Sequence, residues 1–266
     1  MKQRIITAVI AAAVFLPIVI YGGTPFILLT YLLATVALYE LLKMRKLSIT
    51  TIPGIISVIL LWIFLLPDEF NSTLADLDYS KIELALFAVL LFMTYTVITK
   101  NRFTFDDVAF AILATLYIGI GFYYFIETRD AQSGLTYIFY ALFIIWATDS
   151  GAYFIGRAFG KKKLWPEISP KKTVEGFFGG IASALVVALL FVIFTDISSS
   201  TAVWKLFLIT TVLSVSGQIG DLVESAIKRH YQIKDSGHIL PGHGGILDRF
   251  DSLLFVLPFM HFLHLL

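Results

Sequence analysis

The chain has 266 residues, 58% of them hydrophobic and only 15% charged, with a formal net charge of +1 and no cysteine. A soluble domain carries about 25% charged residues, so a mean hydropathy of +0.85 excludes an ordinary soluble globule and predicts an all-α, polytopic membrane protein. The missing cysteines exclude a disulfide framework, thiolate catalysis and a thiolate metal site; the near-neutral balance says nothing about partners, and no nucleic acid is expected among them.

Nine apolar runs are long enough, or nearly so, to cross about 30 Å of hydrocarbon as helices. They fall near 5–21, 25–42, 52–67, 82–99, 106–126, 135–159, 174–195, 202–227 and 250–266, the third and ninth being short. The first run follows Lys2 and Arg4 as a signal peptide would, but further spans follow at once, so a retained helix is expected. Helices 1 to 5 carry almost no mid-span charge. Glu40, Asp106 and Asp107 lie near helix ends and are expected at the interface. Residues 1–130 therefore read as a scaffold and 131–266 as a catalytic half, with cytoplasmic loops at 160–174 and 228–248.

Nine crossings put all of the 20 Lys and Arg residues on one side except Lys81, Arg129 and Lys205. By the positive-inside rule that side is cytoplasmic and includes the N-terminus, while the C-terminus is outside. The opposite loops, 67–80 and 127–134, are short or acidic. A bacterial-type inner membrane is the expected location.

The chemistry concentrates after residue 140. Asp149 sits inside an apolar run; an acid there marks a function with a partner, or a structural hydrogen bond to a neighbouring helix. Ala152, Gly156 and Gly160, and the pair Gly176 and Gly180, recur every four residues and predict close helix packing. No Walker pattern accompanies them. The loop 161–180 leads through Lys171, Lys172 and Thr173 into Glu175, where a Ser/Thr-led helix start beside two lysines makes an anion site. Lys161 to Lys163 are read equally as headgroup contacts.

Downstream, Asp221 and Glu224 form one i, i+3 acid pair and Asp248 and Asp251 another, so on a helix each pair shares a face. Ser225 shares the face of the first. Carboxylates this close repel unless a cation lies between them, and oxygen ligands favour a hard ion such as Mg²⁺. Lys228, Arg229, Lys234 and Arg249 on the same side suit a polyphosphate. His243, between glycines, is open to three roles: phosphate ligand, proton donor or pin of the turn. Buried acids of this kind also serve proton or sodium relays. His261 and His264 are expected at the outer interface.

These residues resemble the phosphatidate cytidylyltransferases. The match runs Ser225-x-Ile227-Lys228-Arg229, Lys234-Asp235-x-Gly237, then Leu240-Pro241-x-His243-Gly244-Gly245-Ile246-x-Asp248-Arg249-Phe250-Asp251 without gaps, and SPKKTVEG at 169–176 looks like a second family motif. The resemblance covers roughly 145–255. It implies transfer of CMP from CTP to phosphatidic acid, giving CDP-diacylglycerol and pyrophosphate with Mg²⁺ at the cytoplasmic face. It further implies Asp221, Asp248 and Asp149 as ion ligands, a second, monovalent cation such as K⁺, and a possible homodimer.

The expected catalytic set is Asp221, Asp248, Lys228, Arg229 and His243. Lys171, Lys172, Thr173, Glu175, Ser225, Lys234 and Arg249 are expected to bind substrate. Asp149, Asp221, Glu224, Asp248 and Asp251 are expected to hold metal. The competing expectations are a CTP-dependent lipid-alcohol kinase, which moves the γ-phosphate, and a cation-coupled transporter.

Overall fold

The computed structural model describes residues 2–67, 79–198 and 201–266; the side chains at 2, 4 and 5 also lie outside the described residues. Most of the 67–80 loop and the charged groups of Lys2 and Arg4 thus fall outside them. The helices are α1 (Lys2–Tyr21), α2 (Gly23–Met44), α3 (Ile52–Phe64), α4 (Lys81–Ile98), α5 (Phe105–Asp130), α6 (Gly134–Phe159), α7 (Val174–Phe194), α8 (Val203–His230), α9 (Leu247–Phe250) and α10 (Leu253–Phe262). Helices satisfy their own backbone polar groups, which hydrocarbon requires. Among the described residues six of them, α2 and α4 to α8, are long and apolar enough to cross a membrane. Residues Ile6–Tyr21 of α1, together with α3 and α10, are apolar helices of only 10–17 residues.

Two local departures from the expected helices have physical causes. The run predicted over 250–266 breaks after α9, where the Ser252 backbone N–H donates to the Asp251 carboxylate at 2.6 Å, a local bond that competes with the helical ladder. The 161–173 loop carries a small antiparallel hairpin, β1 (Lys163–Trp165) paired with β2 (Ser169–Thr173). Pro166 and Pro170 withhold the backbone donors a helix would need there.

The chain forms two compact units, Met1–Glu127 with Asp235–Leu247, and Thr128–Lys234 with Asp248–Leu266. In the first, fully buried Phe26 meets Phe125 edge to face at 4.8 Å. The Trp62 ring N–H donates to Thr35 Oγ1 at 3.0 Å, and the Tyr31 hydroxyl donates to the Trp62 carbonyl at 3.2 Å. A reciprocal capping box between Ser80 and Glu83 starts α4. Asp107 accepts from the Thr104 backbone N–H at 2.8 Å and pairs with Arg45 at 2.6 Å, so it ties the start of α5 to the end of α2.

Glu40 is not at an interface as the sequence suggested. It has no exposed surface and accepts from the Ile246 and Leu247 backbone N–H groups at 3.1 and 2.9 Å. A carboxylate is tolerated without solvent when its oxygens are hydrogen-bonded in this way.

In the second unit α6 and α7 pack along the predicted small-residue stripes. A methyl group added at Gly176 would lie 2.7 Å from the Ala152 carbonyl oxygen, and one at Gly180 would lie 2.9 Å from that of Thr148. Glycine is needed because the two backbones come this close. Helix α8 joins them through Thr148 Oγ1 and Ser214 Oγ, 2.9 Å apart, and through the Gln218 side-chain amide, which donates to the Phe177 carbonyl at 3.3 Å. His261, expected at the outer interface, instead bonds buried Thr128 at 2.9 Å and fastens α10 to the end of α5.

Candidate active site

Helices α6, α7 and α8 and the hairpin of the second unit enclose a cavity of about 470 Å³. Asp149, Tyr153 and Arg157 of α6, Lys171 and Lys172 of β2, and Gln218 and Asp221 of α8 line it. A larger cavity of about 630 Å³, bounded by residues such as Thr136, Asp196 and His264, carries one acid and no Lys or Arg. Of the two, the smaller brings acids and several basic groups together and is the candidate site.

Asp221 is the centre of that wall. The Lys172 ammonium lies 2.7 Å from its Oδ2, and the Ser225 hydroxyl donates to its Oδ1 at 3.4 Å. Lys172 also reaches the Gln218 carbonyl at 3.5 Å. Asp149 is exposed to the cavity and lies in the field of like-charged Asp221 and of oppositely charged Lys172 and Arg249. One side of the cavity is therefore anionic and the hairpin side cationic.

Two helical turns further along α8, Lys228 is held between two acids. Its ammonium donates to Glu224 Oε2, and to Asp248 Oδ1 at 2.7 Å. Glu224 and Asp248 side chains are only 1% and 5% exposed, so the lysine acts as their internal counter-charge. The other Glu224 oxygen, Oε1, is buried without a hydrogen-bond partner. Asp251 takes the Ser252 N–H on one oxygen and feels Asp221, Lys228 and Asp149.

The remaining predicted residues separate into two groups. Lys171 faces the cavity, while Arg229, Lys234 and Arg249 are exposed; Arg229 also donates to the Ile233 carbonyl at 3.1 Å. Thr173 and Glu175 are engaged in structure, and Thr173 also lines the cavity. Thr173 caps α7 by accepting the Gly176 N–H at 3.1 Å. Glu175 accepts the Lys162 N–H at 3.3 Å and stitches the hairpin to the helix start. His243 belongs to the first unit, where its backbone N–H donates to the Leu240 carbonyl at 2.8 Å and its Nδ1 is buried without a partner.

Arg157 and Tyr153 were absent from the predicted site, yet both line the cavity, with Arg157 donating to the Tyr153 hydroxyl at 3.2 Å. The usable signal was their spacing: Asp149, Tyr153 and Arg157 recur every four residues along one stripe of α6.

The donor chemistry fits a hard cation, since every candidate ligand is a carboxylate and Glu224 Oε1 is unpartnered. As they stand, though, no three His, Cys, Asp or Glu among the described residues gather closely enough to hold an ion. Lys228 lies between Glu224 and Asp248, and Lys172 pairs with Asp221.

A model of the cytidylyltransferase family matches residues 2–266. The chain is 61% identical over 264 residues to a phosphatidate cytidylyltransferase of Bacillus subtilis, covering 99% of this chain and 97% of that protein. It is 52% identical to the enzyme of that name from Staphylococcus saprophyticus and 49% to that from Staphylococcus aureus, each over 99% of this chain and 98% of the relative. With the family model matching residues 2–266 and a 61% identical relative covering 99% of its length, this chain belongs to the phosphatidate cytidylyltransferase family.

Proposed function

We propose that this chain transfers CMP from CTP to phosphatidic acid, forming CDP-diacylglycerol and pyrophosphate. The observation that carries the reading is a cavity on which acids of α6 and α8 face the lysines of the hairpin, in a chain 61% identical to a phosphatidate cytidylyltransferase.

A phosphate oxygen of phosphatidate attacks the α-phosphorus of CTP. The new P–O bond forms as the bond between the α-phosphorus and the bridging oxygen to the β-phosphate breaks, and the electron pair leaves on pyrophosphate. A phosphomonoester, with a second pKa of about 6, is already a competent nucleophile near neutrality. Neither a covalent enzyme nucleophile nor a strong general base is required. The chain has to bring two polyanions together and stabilise the charge that builds on the leaving group.

Lys171, Lys172 and Arg157 give the triphosphate a cationic wall, and Arg249, Arg229 and Lys234 extend it from the α8 and α9 ends. Lys228 keeps Glu224 and Asp248 from repelling each other. Asp221 and Asp248, with Asp149, Glu224 and Asp251 assisting, are the residues that would hold Mg²⁺. That ion, when bound, supplies neutralisation of phosphate charge during the displacement. Ser225 orients the Asp221 carboxylate.

The membrane frame suits two substrates of opposite solubility. The charge bias of the loops supports a cytoplasmic N-terminus, nine crossings and an outer C-terminus, with 1–130 as scaffold and 131–266 bearing the chemistry. CTP then enters from water and phosphatidate from the leaflet.

Membranes carrying the chain, given phosphatidate, Mg²⁺ and CTP labelled at the α-phosphate, are expected to put label into chloroform-soluble lipid. Label from the γ-phosphate in the lipid would mean a kinase instead. Lipid without either label would leave neither transfer standing.

A further inference from the structure

Helix α2 supplies a carboxylate that the reaction described above does not use. Glu40 has no exposed surface, and it spends its oxygens on the loop 235–247 of its own unit. Its Oε1 accepts the Ile246 backbone N–H at 3.1 Å and its Oε2 accepts that of Leu247 at 2.9 Å, with the Ser236 hydroxyl donating at 3.3 Å. The loop is shaped around this group. A methyl added at Gly237 would strike Glu40 Oε1, and one at Gly245 would strike the Ser236 hydroxyl and Glu40 Oε1. Two glycines therefore stand where any side chain would strike the carboxylate.

We propose that Glu40 is a positioning residue: it fixes the backbone of the 235–247 loop so that the chain enters Asp248 and Arg249 in the arrangement CMP transfer needs. Leu247, whose N–H it holds, is joined to Asp248 by a single peptide bond. A carboxylate with both oxygens engaged by backbone donors is a stiffer anchor than a neutral amide, because charge-assisted bonds are shorter and stronger. Misplacement of a catalytic group by about 1 Å costs about 100-fold in rate. The catalytic consequence rests on the cytidylyltransferase reading, whereas the anchoring of the loop does not.

The test measures both, in the full-length protein in detergent or membranes. Glu40→Gln keeps size but puts an NH₂ group against backbone donors. It is expected to lower kcat for CMP transfer by about 100-fold while KM for CTP moves by no more than about three-fold. In the same protein, hydrogen exchange of the peptide covering 236–247 is expected to quicken by about ten-fold or more, with the rest of α2 and α5 unchanged. Gly237→Ala is expected to slow turnover in the unmodified background and to add nothing in a Glu40→Ala background, since the atom it strikes is gone. Unchanged exchange over 236–247, an equal rise everywhere, a normal kcat in Glu40→Gln, or losses that simply multiply in the double variant would each overturn the inference. If the unmodified protein makes no labelled lipid, the proposed reaction fails instead, and the exchange over 236–247 alone decides whether Glu40 anchors the loop.

Discussion

Lys172 and Asp221 meet at 2.7 Å across the cavity of the second unit, bringing a strand residue of the hairpin onto the acid of α8. Both side chains keep roughly a quarter to a third of their surface exposed, at 24% and 33%. A pair this open contributes little to folding, about 0–1 kcal/mol, so its value lies in chemistry.

Lys172→Met and Asp221→Asn are accordingly expected to lower CMP transfer by about 100-fold or more while the melting temperature in detergent stays near that of the unmodified protein. Differential scanning fluorimetry beside the labelled-CTP assay checks this. An Asp221→Asn protein of near-normal activity would remove Asp221 from the site.

Lys228 should behave differently. Its removal leaves Glu224 and Asp248 buried and facing each other, and breaking such a buried network costs about 3–5 kcal/mol. Lys228→Met is expected to lose activity and also to melt about 10 °C lower. Adding Glu224→Gln to Lys228→Met should recover part of the lost stability without recovering turnover.

Chelation with EDTA is expected to abolish transfer, and Mg²⁺ to restore it, as all-oxygen ligands favour a hard cation. Thermal stability should change little on chelation, because Lys172 and Lys228 already pair with these acids. Full turnover in EDTA would dismiss the metal.

The helix seam gives a prediction about folding alone. Gly176→Leu drives a side chain into the Ala152 carbonyl 2.7 Å away, against backbone that has no room to yield. The expected result is loss of folded protein in membranes, read by quantitative immunoblot, whereas overpacking at a yielding site costs only about 1–3 kcal/mol.

Sidedness can be read directly, since the chain has no native cysteine. Ser133→Cys is expected to react with an impermeant maleimide from outside intact spheroplasts, and Lys161→Cys only after permeabilisation. The reverse pattern would invert the proposed topology.

Much of this was legible before any coordinates. Helix positions followed from apolar runs, and the Ala152, Gly156 and Gly176, Gly180 stripes announced where α6 and α7 meet, because a four-residue repeat of small side chains has few other uses. Asp149 and Asp221 could be picked out by the cost of charge in apolar surroundings, and Lys171 and Lys172 by the Ser/Thr-led helix start beside them. Glu40 could not. Its position near a helix end looked interfacial, and its partners lie about 200 residues further along the chain, beyond the reach of any local pattern. Thr173 and Glu175 show a related limit: spacing identifies a helix start but not whether the cap is internal or offered to a ligand. Lys228 was expected on phosphate, and only three dimensions reveal that Glu224 and Asp248 already claim it.

The glycine seam also bears on how this cavity can change. Gly156, Gly160 and Gly176 border the cavity and have no freedom to grow, so that wall is closed to evolutionary tinkering. Changes in what this cavity accepts have to be written on lining side chains that can vary, such as Tyr153, Leu164, Lys171 and Phe177, and directed libraries aimed at altered substrates should leave the glycines untouched.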